Sequence, residues 1–274
     1  MDQPVYRRRQ SGVLVTGANG VVGRVLRARL HEDGILFTDR DTVDVSRAAG
    51  LVGCFRGAGA VVHLASPFRE GRIDAARAAL AVRFARQVVS AALAAGVARV
   101  VLCSSVRAAP LPEPWRGREA DLAWPPLVIR ASHAIERTGA AAAARGLDVI
   151  TLRLGGVAWP DWPGRGLEGL VWLSHEDCAS LMRRCLDVPV ERFRHVIFTA
   201  TSDLPGRVHD TANSIGWSAK TRSLTIARRL RHGSILIKSA LRELLGPRRE
   251  GDGGRFSTLP PTSPESGRRG PAKP

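Results

Sequence analysis

Tyrosine is almost absent from this chain of 274 residues, because its only tyrosine is Tyr6, ahead of the first predicted strand. Lysine is also scarce: Lys220, Lys238 and Lys273 are the only lysines among 41 basic residues. A positioned tyrosine is one of the side chains that enzymes use to exchange a proton with a substrate oxygen. Composition alone therefore excludes a tyrosine acid in the folded core.

Long apolar runs are missing as well. Apolar stretches such as residues 235–237 fall far below the roughly 18 to 20 residues that a membrane span needs. The N-terminal segment carries Arg7, Arg8 and Arg9 but lacks the apolar region and the small-residue cleavage site of a secretory signal. We therefore expect a cytoplasmic protein with no membrane partner.

Cysteine is too sparse and too scattered for a structural cross-link or a metal site. Cys54, Cys103, Cys178 and Cys185 form no CxxC pair and no His/Cys cluster at the spacing of zinc ligands. We expect four buried free thiols and no bound metal.

A net charge of +16 and a pI of about 11.4 would ordinarily indicate a nucleic-acid partner. The arginines, however, are scattered along the chain without interleaved aromatic residues, and Ala, Gly and Pro are abundant. This composition is typical of a GC-rich genome, so we expect no nucleic-acid partner.

Short apolar runs alternate with helical segments through the first half of the chain. Strands are predicted at residues 13–16, 35–38, 60–65, 99–104 and 149–153, and helices at 24–32, 75–95 and 133–144. Such alternation predicts an α/β fold with a doubly wound parallel sheet of the Rossmann type and a small C-terminal substrate-binding lobe. The predicted division is residues 1–12 as an N-terminal arm, 13–157 as the Rossmann domain, 158–245 as the lobe, with a basic helix near 225–245, and 246–274 as a disordered tail.

A glycine turn follows the first predicted strand. Gly17, Gly20 and Gly23 form GxxGxxG, which permits a tight turn, close approach of a pyrophosphate and close packing of the next helix. Asp39, at the end of the second strand, is placed to accept hydrogen bonds from an adenosine ribose. Arg40 beside it suits a 2′-phosphate instead, so the sequence predicts NADP or NAD without choosing between them.

The chain resembles the extended short-chain dehydrogenase/reductase family, which includes the nucleotide-sugar epimerases. The motifs that carry the resemblance are residues 16–23, Asp44 with Val45, and residues 59–65, 96–105 and 152–157. Residues 172–177 and 215–217 resemble the uronate-dehydrogenase branch. From the glycine turn and this resemblance, the predicted cofactor-binding residues are Gly17, Asn19, Gly20, Val21, Val22, Gly23, Asp39, Arg40, Asp44, Val45, Leu64, Ala65, Ser66, Cys103, Leu154, Gly155 and Val157.

The same resemblance shows that most of the family's catalytic groups are missing. Its Asn is replaced by Ala81, whereas its Ser is present as Ser105. Its Tyr-x-x-x-Lys pair corresponds to Val128 and Ser132 in one alignment and to Ile129 and His133 in the other. The remaining catalytic candidates are Ser105, as a donor to the substrate oxygen, and His133, as an acid.

A ketone that carries its own acidic proton is the substrate that best suits such a site, because hydride transfer and protonation are separable requirements. Trp159, Trp162 and Trp172 favour a flat aromatic ligand. The chain thus resembles the tyrosine-less polyketide ketoreductases of actinomycete antibiotic pathways, among them those acting on angucyclinones. The alternatives are a non-catalytic NAD(P)-binding regulator and a sugar-nucleotide or uronate oxidoreductase. The oligomeric state stays open.

Overall fold

A computed structural model describes residues 12–30, 34–68, 74–113, 125–163, 167–205 and 207–221. All of them belong to the first of two units into which the chain divides, residues 1–223. The predicted N-terminal arm, except Gly12, the basic helix and the predicted tail lie outside the described residues.

Six parallel strands form one sheet in the order β2-β1-β3-β4-β5-β6. The strands are β1 (Gly12–Thr16), β2 (Ile35–Thr38), β3 (Ala58–His63), β4 (Arg99–Ser105), β5 (Asp148–Leu154) and β6 (His195–Ala200). The helices are α1 (Val21–Arg29), α2 (Leu51–Phe55), α3 (Ala75–Ala95), α4 (Pro126–Ala143), α5 (Leu167–Leu170) and α6 (His175–Asp187). The predicted doubly wound parallel sheet is confirmed.

Two apolar layers cover the faces of the sheet. Val13 and Val15 of β1 lie in the layer shared with α1 and α6, whereas Leu14 lies in the layer shared with α2, α3 and α4. This alternation follows from the two-residue period of a strand, and burial on both faces is the rule for parallel sheets. By length and hydropathy α3 would also fit a membrane span, but its packing against α2, α4 and the sheet accounts for the same apolarity.

The sheet extends beyond the predicted domain boundary at residue 157. β6 pairs in parallel with β5 and α6 packs beside α1, although both fall in the range 158–245 that the sequence assigns to a lobe. The sequence pattern did not indicate β6, because its apolar residues are only Val196–Phe198 and Ala200, interrupted by Thr199, and polar residues flank them on both sides. The edge of the sheet therefore lies in the second half of the chain.

An arginine is buried at the amino edge of the sheet. Arg99, at the start of β4, is only 2% exposed, and its guanidinium donates to Asp148 Oδ2 from Nε at 2.9 Å and from Nη2 at 2.7 Å. Nη1 donates to the carbonyl oxygens of Cys185 and Val188 at the end of α6. Arg194 also pairs with Asp148, at 2.7 Å. This network joins β4, β5 and α6 on the side opposite the glycine turn.

The thiols differ in their surroundings. Cys178 and Cys185 are buried, and burial raises the pKa of each to about 12. Burial also raises the pKa of Cys103, which is partly accessible at the end of β4. Cys54, in the short helix α2, is exposed, so the expectation of four buried thiols is wrong for Cys54, is met only in part by Cys103, and is confirmed for Cys178 and Cys185.

Candidate functional site

The carboxyl ends of β1, β2, β3 and β4 meet at one edge of the sheet, where the strand order reverses between β1 and β3. Open α/β sheets bind ligands at such a switch point because the loops there diverge and leave a crevice. Thr16, His63 and Leu102 are in register across these strands. The glycine turn and the predicted catalytic serine therefore emerge from the same edge.

Two glycines of the turn are required by packing. Gly17 has φ of +75°, a conformation that favours glycine, and a Cβ there would lie 2.5 Å from Ala65 Cα. A Cβ on Gly23 would lie 2.5 Å from Ala18 Cα, so α1 would have to move off the turn. Gly17 allows the turn to lie against the segment that follows β3, and Gly23 allows α1 to lie against the turn.

Gly20 is different, because it is exposed and has room around it. Its φ of −68° suits any residue, and a Cβ there would meet only the carbonyl oxygen of Gly17, at 3.3 Å. It precedes Val21, the first residue of α1, whose first amides have no intrahelical partner and whose first turn carries no acidic side chain. A diphosphate fits here, since the amides and the helix dipole favour an anion and the missing Cβ leaves the approach open.

Asp39 lies at the end of β2, facing the glycine turn. Its carboxylate accepts hydrogen bonds from the backbone N–H groups of Asn19 and Arg40, both at 2.7 Å. The Arg40 side chain is 80% exposed and lies 4.0 Å from the Asp44 carboxylate. The carboxylate is therefore fixed beside the turn, whereas the guanidinium points along the loop.

Asp44 and Val45, which the resemblance assigns to cofactor binding, lie in the loop between β2 and α2. Hydrogen bonds from the hydroxyl and the backbone N–H of Ser46 lower the pKa of Asp44. Val45 is buried in the apolar layer below α3. Asp44, unlike the buried Val45, therefore has a side chain that reaches the surface of the loop.

The turn after β3 completes the wall beside the glycines. The predicted strand 60–65 ends at His63, and Leu64, whose N–H donates to Thr16 O at 3.1 Å, begins the turn. Ala65 touches Gly17, and Ser66 Oγ accepts from the Phe68 N–H. The structure therefore places Leu64 and Ala65 against Gly17 of the glycine turn.

His63 lies in the core under this turn. Its Nδ1 is 3.0 Å from Thr16 Oγ1, and burial lowers the pKa of the ring to about 4. The imidazole is therefore neutral near pH 7 and joins two neighbouring strands.

Ser105 ends β4 and begins a 3-10 turn, Val106–Ala108. Its Oγ accepts from the Arg107 N–H at 3.3 Å, so the hydroxyl keeps its own hydrogen for a further acceptor. His133 of α4 reaches the end of the same turn, where Nε2 lies 3.1 Å from Ala108 O. Because a carbonyl oxygen only accepts, Nε2 carries the proton of that bond, and a neutral ring has none on Nδ1.

Of the two alignments of the family's tyrosine and lysine, one places both positions inside the protein, whereas Ile129 and His133 of the other are half-buried. Val128 and Ser132 of α4 are 7% and 4% exposed. One turn further on, Glu136 accepts from Ser104 Oγ at 3.0 Å and from Arg153 at 2.7 and 2.8 Å. This buried cluster holds α4 against β4 and β5, and sequence reasoning missed it because its members are far apart in the chain.

The end of β5 packs tightly against the segment before α6. A Cβ on Gly155 would run into the carbonyl oxygen of Val171, and Gly156 pairs with Trp172 through a parallel bridge. Leu154 is buried and Val157 is half-buried. Leu154 and Gly155 therefore have structural reasons for their size, independent of a cofactor.

The three tryptophans do not form one pocket. Trp172 is buried in the core at 2% exposure, Trp162 is half-buried, and Trp159 is 60% exposed. Trp159 stacks on His175 with ring centroids 5.0 Å apart. The Ser174 hydroxyl accepts from the Asp177 N–H and caps the start of α6.

No group of three or more His, Cys, Asp or Glu side chains with the geometry of a metal site occurs among the residues for which the structure gives positions.

Comparison with known proteins agrees with this geometry. The profile of the NAD dependent epimerase/dehydratase family matches residues 13–161. None of the curated proteins compared with the chain matches it. The matching solved structures include uronate dehydrogenase from Agrobacterium tumefaciens, with a TM-score of 0.64, 20% identity, and coverage of 88% of this chain and 92% of that one.

Two further structures are similar. One is a tyrosine-to-alanine mutant of the same Agrobacterium enzyme complexed with NAD, with a TM-score of 0.63, 20% identity, and coverage of 88% of this chain and 92% of that one. The other is glucuronic acid dehydrogenase from Chromohalobacter salexigens, with a TM-score of 0.63, 18% identity, and coverage of 82% and 90%. At this level of identity the similarity establishes the fold.

Proposed function

Because the chain belongs to the NAD-dependent epimerase/dehydratase family, we propose that it binds NAD(P)H and reduces the ketone of an aromatic, polyketide-type molecule without a catalytic tyrosine. The observation that carries the proposal is the meeting of the glycine turn and Ser105 at one edge of the sheet, beside an α4 face that lacks tyrosine and lysine.

The residues of the glycine turn and Asp39 bind the cofactor. The amides that begin α1 and the open space at Gly20 suit its diphosphate, and the Asp39 carboxylate suits ribose hydroxyls. A carboxylate repels a 2′-phosphate, and Arg40 is directed toward Asp44, so this arrangement supports NAD over NADP. When bound, the nicotinamide supplies a hydride to the carbonyl carbon of the substrate.

Ser105 donates a hydrogen bond to the substrate oxygen. Its hydroxyl retains a hydrogen to donate and is fixed by the Arg107 N–H, so it is oriented before the negative charge develops. His133 is less suited to the role of acid, because its Nε2–H is already donated to Ala108 O. The proton therefore comes from the substrate: a neighbouring phenol transfers its O–H proton to the alkoxide, and the resulting phenolate takes a proton from water.

The test compares a peri-hydroxytetralone with its methyl ether. The ether should bind but react about 10² to 10⁴ more slowly, which is the usual contribution of a general acid. His133→Ala should retain most of the turnover, and Ser105→Ala should lose no more than about 100-fold, the worth of one hydrogen bond to a charged group. A loss of three orders of magnitude in either variant, with NADH affinity intact, would identify that side chain as the acid and contradict substrate assistance.

A non-catalytic NAD(P)-binding regulator is the second candidate. It is favoured by α4, which carries no tyrosine or lysine in either alignment: Val128 and Ser132 are buried, and His133 already donates its Nε2–H to Ala108 O. A regulator binds NADH and leaves it unconsumed with every ketone. Glucuronate with NAD⁺ serves as the comparison, because uronate dehydrogenases are among the similar structures; formation of NADH from this mixture would support the sugar-oxidoreductase alternative.

A further inference from the structure

We propose that the exposed face of Trp159 is the platform on which the aromatic rings of the substrate stack; the inference deepens the proposed function and rests on it for the identity of that substrate. β5 ends at Leu154, and Trp159 follows five residues later. It is therefore placed at the carboxyl edge of the sheet, the edge that also holds Ser105 at the end of β4.

The indole offers one face to a ligand and rests on the protein with the other. Trp159 is 60% exposed as a residue, and the ring of His175 lies 5.0 Å from its ring centroid at an interplanar angle of 23°. Aromatic rings prefer such stacked arrangements, and a second planar ring can add to the open face in the same way. The stack would then run from His175 through Trp159 to the ligand.

The ring under the indole is held firmly. His175 is 2% exposed, its Nε2 donates to Ala158 O at 2.7 Å, and its backbone N–H donates to Asp161 Oδ1 at 3.0 Å. His175 is also the first residue of α6, which packs in the core. An indole fixed from below loses little further freedom when a ligand binds, so less of the stacking energy is lost to ordering.

The polar groups beside the indole favour a flat aromatic ligand over a sugar. Both carboxylate oxygens of Asp161 face His175, one at 3.0 Å from its N–H and the other at 3.8 Å from its Nδ1. These described side chains are thus directed inward and not toward a ligand above Trp159. Sugar hydroxyls buried there would lose hydrogen bonds to water without replacement from them, whereas an aromatic face has none to lose.

The experiment measures the affinity of emodin, a planar hydroxyanthraquinone, by calorimetry on the full-length protein. Trp159→Ala should weaken binding by about tenfold or more, and Trp159→Phe should recover most of it, because stacking depends on the aromatic face. The matched control is Phe193→Ala, which removes an equally exposed ring (64%) from the loop before β6, at the opposite edge of the sheet. This control and both Trp159 variants should bind NADH with unchanged affinity.

Failure of this inference and failure of the proposed function give different results. Undetectable emodin binding, equal affinity in wild type and Trp159→Ala, or an affinity loss confined to glucuronate overturns the platform. If Trp159→Ala weakens emodin binding but no ketone consumes NADH, the platform stands and the reductase function fails. If the platform and the reductase function both hold, Trp159→Ala should raise KM for the peri-hydroxytetralone by about tenfold and change kcat little.

Discussion

Gly20→Val is expected to abolish binding of NADH and NADPH, with an affinity loss of at least about 100-fold, or roughly 3 kcal/mol. The valine Cβ would meet only Gly17 O at 3.3 Å, and the backbone at this position suits any residue. This contact is tight and requires a shift of a few tenths of an ångström at Gly17 O, which we expect the exposed turn to absorb without unfolding. The side chain then occupies the space through which a diphosphate approaches the first amides of α1. Titration calorimetry with each cofactor measures the loss.

The matched control is Gly53→Val in α2, where a Cβ would meet nothing within 4 Å. This variant should bind both cofactors as the wild type does, and both variants should show the wild-type circular dichroism spectrum. Wild-type affinity in Gly20→Val would mean that the diphosphate does not cross this turn.

Asp148→Ala is expected to destabilise the fold by about 3 to 5 kcal/mol, because it leaves buried cations without their counter-ion. Asp148 is completely buried, and Arg99 beside it is 2% exposed, so water cannot replace the lost carboxylate at either group. Arg194, 12% exposed, loses the same partner. For a chain of this size that loss corresponds to roughly 10 °C in Tm.

Chemical denaturation separates the contribution of charge to stability from that of packing. The variants compared are Asp148→Ala, Asp148→Asn and Asp203→Ala. Asp148→Asn keeps the shape of the side chain and should still lose most of the stability, since the amide cannot balance two guanidinium groups. Asp203→Ala breaks an ion pair with Arg207 whose side chains are about one-third exposed, and should shift the midpoint little. A wild-type midpoint for Asp148→Asn would show that the network contributes no net stability.

Local signals decided how well individual elements could be predicted. The bounds of α3 agree with the prediction, because Asp74 caps its start and Gly96, in the left-handed conformation, ends it. α4 begins at Pro126, seven residues before the predicted start, since proline is favoured in the first turn of a helix and the sequence pattern alone did not show this. α2, with five residues, is too short to give a periodic pattern.

Contacts between distant residues could not be predicted in the same way. Arg99 is one of many scattered arginines in the sequence, and only the pairing of β4 with β5 brings Asp148 to it. Likewise, Ser104, Glu136 and Arg153 lie on three elements and meet only in the folded chain. The glycine turn was predictable because the whole of its chemistry lies within eight residues, 16–23, and the backbone itself forms the site.

The most direct test of tyrosine-free ketone reduction follows the hydride itself. The protein is incubated with the peri-hydroxytetralone and NADH that carries deuterium at the transferring position of the nicotinamide, and the product is analysed by mass spectrometry. We predict one deuterium on the carbinol carbon of the alcohol and loss of one NADH for each alcohol formed. If calorimetry shows that the protein binds NADH but the ketone stays unchanged and the NADH is not consumed, tyrosine-free ketone reduction is contradicted.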